Sequence, residues 1–564
     1  MTLELRHALR RLRQRPGFSF AAIATLALGI GFSTVVFSLV NFLLLRPLPI
    51  SDPESVVSFH TGRTPGFSFP NYLDIREAND VFTDLAALRV MPMHVNRGGE
   101  KARLWGYLVT GGYFDLLGIQ AFRGRLLSPG DDAVTEGHPV AVLSHASWQR
   151  RFGSDPALVG STIRINGYPF TVVGIAPPGF IGTERILDSE IWVPFSMIRA
   201  IEGRDWRESR RNGNAWILGR LKPGLSREEA EASLSVLAGR LSLEHPEENE
   251  GMEIHLAAAG LLGNVLRGPV VGVGVALLAV SGLTLLVACA NLSNLLLAQA
   301  TSRRKEFALR LSLGASRAAL VRLILAETLV LALAGGASAL IASLWLARAL
   351  AASLPELDFP VNTGLVTDGR VMGFALTLSL LSALFASLWP AVRSAAVDPA
   401  PALKSEAAPG RFRHVDLRDL YVGVQVVVSI VLVSSSLMMV RTLQHALTSR
   451  YGFEPEGAVA LRFDLTMHGY DEERGRRLQR RVFETVSALA GIEAAGLSNS
   501  IPFSIDQSFN TIYVEGEAIP PISEAPSAVL YQATPGLFRA MGTRLVAGRD
   551  LDERDDADSP RSRS

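Results

Sequence analysis

Between Phe18 and Leu45 the chain runs 28 residues without a charged side chain. As a helix rising ~1.5 Å per residue, such a segment reaches ~42 Å, more than the ~30 Å hydrocarbon core of a bilayer, so it crosses with tilt or overhang. Four further runs have the same character: about Val270–Ala300, Leu329–Leu346, Val371–Val392 and Leu420–Val440. Each approaches or exceeds the ~18 apolar residues that mark a membrane helix. The basic start of the chain (Arg6, Arg10, Arg11, Arg13, Arg15) also fits a cleaved signal peptide. The first apolar run is too long for one, however, and no A-x-A site follows, so a signal anchor is expected.

Arginine and lysine in the short flanks set the orientation. Five arginines precede the first run. The loop between the second and third carries Arg303, Arg304, Lys305, Arg310, Arg317 and Arg322. The segment between the fourth and fifth carries Arg393, Lys404, Arg411, Arg413 and Arg418, whereas the loop between the third and fourth has Glu356, Asp358 and Asp368, with only Arg370 near the membrane. These flanks agree on a cytoplasmic N-terminus (1–17), with 46–269 outside, the loop 301–322 inside, the linker 393–418 inside and 441–564 outside. The spans are then 18–45, 270–300, two within 323–392, and 419–440.

Composition removes several function classes. Charged residues are 19% of the chain and the net charge is +1, with no basic stripe of the kind that binds nucleic acid. The single cysteine, Cys289, lies in an apolar run, which rules out an intrachain disulfide and a Cys-rich metal site and leaves a packed apolar residue.

Residues 46–269 read as mixed α/β. Thr162 to Gly174 alternates and turns at Asn166-Gly167, a hairpin signal. Pro139–Leu143, Ile191–Phe195 and Ala215–Leu221 read as strands. Ser226 to Glu229 forms a capping box that opens a helix running to about Glu244, and Met252–Ala257 is a further strand. That gives a β-α-β unit preceded by a strand-rich insert. His138 and His145 lack partners at ligand spacing, and no G-x-S-x-G or H-E-x-x-H occurs. Asp131-Asp132 follows Ser128-Pro129-Gly130 and reads as a solvated turn rather than a catalytic pair.

The chain also repeats itself. Residues 110–132 (TGGYFDLLGIQAFRGRLLSPGDD) align without a gap on 534–556 (TPGLFRAMGTRLVAGRDLDERDD), at a constant offset of 424. Thr110, Gly118, Gly124, Arg125 and Asp131 meet Thr534, Gly542, Gly548, Arg549 and Asp555; Gly112 and Asp132 meet Gly536 and Asp556. Matched glycines imply matched backbone turns. The same offset lays the first span over the fifth. The repeating unit is then one span, one external domain and three spans, with the second copy expected to be incomplete at residue 564. The expected class is a membrane α-helical protein of about five spans with two extracytoplasmic α/β domains.

This arrangement resembles the MacB/FtsX-like permeases of ABC transporters, in particular the duplicated orphan permeases of acidobacterial type. The resemblance rests on LRHALRRLRQRPGFS at the start, SFPNYLDIREANDVFTDLAA (68–87), VAVLSHASWQRRFGSDPALVGSTIRINGYPFTVVGIAPPGF (140–180), SRRKEFALRLSLGASRAALVRLILAE (302–327) and GYDEERGRRLQRRVFETVSAL (469–489). It implies a MacB-like periplasmic domain over 46–269 and an FtsX-like permease domain over 270–400. It also implies that the segment with Arg303, Arg304, Glu306, Arg310, Gly314, Ala315 and Ser316 is a coupling helix docking on a cytoplasmic ABC ATPase subunit. The residues themselves suit this: Ser302 can cap a helix, Gly314 can end it in a left-handed turn and Ser316 can cap the next. Taken alone, they equally suit a basic loop lying on lipid headgroups.

No Walker A loop occurs, since none of Lys101, Lys222, Lys305 and Lys404 follows a glycine. The chain is therefore expected to be no enzyme and to hold no cofactor or metal, with ATP used by a partner subunit. The implied function is mechanotransmission across the bacterial inner membrane, serving efflux or envelope export of a peptide, lipid, lipoprotein or antibiotic. Periplasmic or outer-membrane components and a dimer or pseudo-dimer of permease units are further partners the resemblance implies. The rival reading is a motor-less membrane-anchored scaffold that binds envelope partners. Within the spans, Asn41, Asn291, Ser293, Asn294 and Gln425 are expected to bond across helices, Glu327 to snorkel or pair with Arg322, and Gly335-Gly336 to let two helices approach closely.

Overall fold

The computed structural model describes residues 10, 13–61, 66–261, 267–314, 316–353, 368–395, 417–449 and, with short interruptions, 452–555. The acidic Glu356 and Asp358, the basic Lys404, Arg411 and Arg413, and Ala315 and Asp556 fall outside them. The chain divides into two compact units, one of residues 1–46 with 268–446, the other of 47–267 with 447–564.

In chain order the longer elements are α1 (Pro16–Val40), the strands β1 (Val56–His60), β2 (Phe82–Arg97), β3 (Glu100–Val109), β4 (Val140–Leu143), β5 (Thr162–Ile165), β6 (Tyr168–Ile175), β7 (Ile191–Pro194) and β8 (Ala215–Leu221), then α2 (Arg227–Glu244) and β9 (His255–Ala258). There follow α3 (Arg267–Ser302), α4 (Arg304–Ser312), α5 (Arg317–Ser353), α6 (Gly369–Ala395), α7 (Leu417–Thr448), α8 (Glu472–Ser487) and a hairpin of β10 (Ser508–Thr511) with β11 (Ser527–Leu530). Among the described residues five helices are long and apolar enough to cross a membrane: α1, α3, α5, α6 and α7. The third apolar run sits inside α5, which is 37 residues long and begins twelve residues earlier, at Arg317.

Four of these helices share a core. Ala22, Leu26 and Ile30 of α1 meet Cys289, Leu292 and Leu296 of α3, Leu331, Ala332 and Ala339 of α5, and Ala383 and Ala386 of α6. The paired glycines make this packing close. A Cβ on Gly335 would lie 2.8 Å from Leu26 Cβ of α1, and one on Gly336 would lie 2.1 Å from Ser379 Oγ of α6. In an apolar solvent, helix association relies on such close van der Waals contact. Polar side chains add cross-helix bonds: Gln425 of α7 donates to Asn291 of α3 at 2.7 Å, and Asn294 donates back to Gln425 at 3.4 Å. At the far end of α1 the last turn widens into a π-helical turn, Asn41–Leu45. There the Asn41 amide donates to Asp368 at 2.9 Å, and Arg370 of α6 donates to the Leu45 carbonyl at 2.5 Å.

Residues 47–261 form one sheet in the order β9-β1-β8-β2-β3-β7-β4-β6, with two-residue strands Gly66–Phe67 on β8 and Arg123–Gly124 on β6, and β5 joining β2 to β6. β8 and β9 both run antiparallel to β1, which lies between them. With α2 they make a split β-α-β unit. Its helix starts on the Ser226–Glu229 capping box and buries Ala230, Leu234, Ala238 and Leu241. The β5–β6 hairpin turns at Asn166 (φ +49) and Gly167 (φ +86), the left-handed pair that matches strand twist. Asn166 is fully buried, accepting from the His94 N–H and donating to the Ile201 carbonyl, both at 2.8 Å. The opposite sheet face is aromatic, with Trp192 among Tyr107, Phe114 and Phe180.

The two stretches related by the offset of 424 fold alike. Thr110 Oγ1 accepts the Ala87 N–H at 3.0 Å, and the Thr110 N–H returns to the Ala87 carbonyl at 2.9 Å. Thr534 does the same with Leu497, at 2.8 and 3.0 Å. Gly118 and Gly542 end their turns at φ +64 and +63. The expectation of matched turns fails at one position: Gly112 has φ −77, but Gly536 has φ +85. Pro535 stands before Gly536 where Gly111 stands before Gly112, and proline followed by a left-handed glycine is the type II turn.

Candidate functional site

At the Arg15 end of the helix bundle the chain leaves α3, bends at Arg303 and forms the short helix α4. The Arg303 N–H closes the last turn of α3 on the Gln299 carbonyl, and the Arg303 carbonyl accepts the Phe307 N–H as the first bond of α4. Ser302 is still inside the last turn of α3 and Arg303 stands at the cap position, so Ser302 does not cap α4, contrary to expectation. Its hydroxyl donates back to Gln299 at 2.9 Å, and no side chain caps the helix. At the other end the expectation holds. Gly314 has φ +91, and Ser316 Oγ accepts the Ala319 N–H at 3.2 Å in the first turn of α5.

One face of α4 is buried. Phe307 packs with Leu320 and Ile324 of α5 and Ala391 of α6. The other face is open: Leu309 is 53% and Leu313 79% exposed, four residues apart and so on one side.

Arg303 organises the polar side of this region. Its side chain is nearly buried, and so is that of Glu327 on α5. Arg303 Nη1 donates to Glu327 Oε2 at 2.9 Å, while Nε donates to Glu306 Oε2 at 3.1 Å. Arg310 then contacts the second oxygen of Glu306 at 2.9 Å. The guanidinium of Arg303 also sits 4.7 Å from the Phe307 ring centre, in cation–π range. Cations and anions thus alternate from Arg310 through Glu306 and Arg303 to Glu327. A cavity of about 220 Å³ adjoins this chain, lined on the α1 side by Gln14, Arg15, Phe18 and Ser19.

The expected partner of Glu327 is therefore corrected from Arg322 to Arg303. Five residues on a helix place Arg322 ~140° around the axis from Glu327, whereas the bend delivers Arg303 directly to it. Of the coupling residues singled out in the sequence, Arg303, Glu306 and Arg310 come together in this chain. Gly314 and Ser316 form the following turn, Arg304 opens α4, and Ala315 is outside the described residues. Glu327 was missed as a member; its signal was a carboxylate almost three turns into an apolar helix, where a charge needs a partner.

The external carboxylates are structural. Asp131 is buried rather than solvated and closes a capping box with Ser128. Burial pushes its carboxyl up, but the Arg125 fork and the Ser128 N–H and hydroxyl outweigh this and hold it below the usual range. Burial pushes Asp132 up; it accepts the Ser196 N–H at 2.6 Å and the Gly111 N–H at 3.4 Å.

Residues 19–237 match the MacB-like periplasmic core domain family, and residues 278–399 match the FtsX-like permease C-terminal family. Over 414 residues the chain is 25% identical to the macrolide export ATP-binding/permease protein MacB of Salmonella paratyphi A, covering 68% of this chain and 58% of that one. The MacB of Escherichia coli strain K12 is 25% identical over 304 residues, 53% of this chain and 43% of that one. The chain thus spans about half the length of these relatives. Among solved structures, the periplasmic region of MacB from Actinobacillus actinomycetemcomitans aligns at 16% identity and a TM-score of 0.28, covering 37% of this chain and 90% of that one.

Proposed function

The chain is a MacB/FtsX-like ABC permease, a multi-pass protein of the bacterial inner membrane with a periplasmic domain, and from that premise we propose that α4 is its coupling helix. In this reading a separate cytoplasmic ABC ATPase binds the exposed face of α4, and its ATP-driven closure moves the spans. The spans in turn move the periplasmic domain, which acts on a peptide, lipid, lipoprotein or antibiotic already beyond the inner membrane. In this reading ATP is used by that partner subunit.

The observation that carries the reading is that α4 is apolar on both its buried and its exposed side. Phe307 fixes the helix to α5 and α6, while Leu309 and Leu313 project outward beside Arg310. A helix lying on lipid headgroups has no need to seat its aromatic residue among the spans. The positive flanks support placing this end in the cytoplasm. The matched Thr110/Thr534 and Arg125/Arg549 geometries support a duplication of the first span and its external domain.

A photo-crosslinking residue at Leu313 of the full chain in native membranes tests this. The expected adduct contains a protein with a G-x-x-x-x-G-K-[ST] loop, formed only from the cytoplasmic side. Labelling of position 313 by an impermeant reagent in intact spheroplasts would overturn the reading.

A further inference from the structure

Arg303 contacts two carboxylates that belong to different helices. Glu306 is on α4; Glu327 is on α5, the third span. The guanidinium reaches both because its donors lie in a rigid planar fork: Nε serves one acid, and Nη1, with Nη2 at 3.5 Å, serves the other. An ammonium is a point charge and cannot span the two in this geometry. Both Arg303 and Glu327 are almost wholly buried, so neither charge can lose the other to water without penalty. On the remaining side, toward the first turn of α1, lies the cavity lined by Gln14, Arg15, Phe18 and Ser19. The packing is therefore asymmetric. α4 and α5 are tied by a buried charge bridge and by Phe307, while α1 faces a void at this end. At its opposite end α1 is clasped to the start of α6 by Asn41 with Asp368 and by Arg370 on the Leu45 carbonyl.

We propose that Arg303 is a positioning residue that makes α4 and α5 one rigid lever, with the cavity on the α1 side providing the clearance through which that lever moves. The assignment rests on reading α4 as the coupling helix, but the bridge itself is tested without an ATPase. Loss of the bridge frees α4 from α5 while leaving the membrane bundle folded. Charge alone does not preserve it; the fork does.

The test is amide hydrogen exchange over residues 304–312 of the full chain in phosphatidylethanolamine/phosphatidylglycerol nanodiscs. Glu327→Gln, a change on the neighbouring span, is expected to raise exchange in α4 at least ~5-fold. Arg303→Lys is expected to do the same with the positive charge retained. Should Glu327→Gln disturb the bundle as a whole, seen as faster exchange in α6, the apolar pair Arg303→Met with Glu327→Leu replaces it. That pair keeps the interior packed and should still release α4. Wild-type exchange in Arg303→Lys, or an α4 unaffected by the apolar pair, would overturn the proposal. Failure of the Leu313 crosslink with these exchange results intact would instead count against the coupling reading alone.

Discussion

Arg549 grips Asp555 through both terminal nitrogens, at 2.6 and 2.7 Å. Arg125 grips Asp131 the same way, at 2.6 and 2.8 Å, 424 residues earlier. In each clasp the N–H three residues before the aspartate, from Asp552 or Ser128, donates to the same carboxylate at 2.9 Å. Two bidentate charge-assisted bonds reproduced at a fixed offset tie the repeat to chemistry rather than to composition.

The first clasp predicts an acid sensitivity. Arg125 and Ser128 hold the Asp131 carboxyl below its unfolded range despite burial. Its stabilising effect is therefore complete above pH ~4 and is lost as pH falls through the lower native value. Exchange of amides 123–132, corrected for intrinsic rates, should rise on acidification below pH ~4 in the wild type. Arg125→Met should raise it already at pH 6 and flatten the acid dependence.

The helix interface predicts a steric result. Ala is a better helix former than Gly by ~1 kcal/mol, so propensity alone favours Gly335→Ala and Gly336→Ala. The structure reverses the sign, because both Cβ atoms would enter occupied space. Gly335→Val, pressing on Leu26 of α1, should cost about 1–3 kcal/mol by overpacking. A lower thermal midpoint of the detergent-solubilised full chain for all three variants is the expected outcome. An unchanged or raised midpoint would show that α5 is not in close contact with α1 at Gly335 or with α6 at Gly336.

Much of this was legible beforehand, and the rest was not for identifiable reasons. The Asn166-Gly167 turn, the Ser226–Glu229 box and the left-handed Gly314 are local: each is fixed by a few neighbouring residues and their backbone needs. Gly335-Gly336 was readable because two adjacent residues without side chains inside a span have few uses other than close packing. Ser302 misled because the break falls one residue later than expected: Ser302 still closes α3, and Arg303 takes the cap position of α4. Glu327 misled because a partner 24 residues away is delivered by a bend, and helical spacing cannot show that. Asp131 and Asp132 resembled a solvated turn because their burial comes from distant segments, such as Ser196.

Gly314 predicts a separation of binding from stability. At φ +91 a β-branched residue is strained by about 1–2 kcal/mol, yet nothing lies within 4 Å of the position a Cβ would take. Gly314→Val should therefore distort only the turn between α4 and α5. The expected outcome is a full chain that melts within a few degrees of wild type and in which the proposed ATPase partner no longer responds to the permease. Normal coupling in that variant would mean that the turn geometry does not matter to transmission.

The edge of the external sheet carries a second pH response, opposite in origin to the first. His60 of β1 is buried and sits in register with His255 of β9, their rings 5.5 Å apart. Burial, and then the His255 charge, hold His60 below its usual value, while Glu231 on α2 opposes this. Glu231 also accepts the Leu256 N–H at 2.6 Å, and Glu253 pairs with His255 at 3.2 Å, so the same groups fasten β9. The unfolded histidine takes up a proton near pH ~6.5 and the native one only at lower pH. Over that window the unfolded state binds more protons, and stability falls as the pH drops. Exchange of amides 255–258 in the full chain should therefore accelerate between pH 6.5 and 5, beyond the intrinsic correction. His60→Phe keeps the ring in place without the titration and should remove that acceleration, whereas Glu231→Gln should loosen β9 at every pH. An edge strand whose protection is flat across this range in the wild type would rule out His60 as its cause.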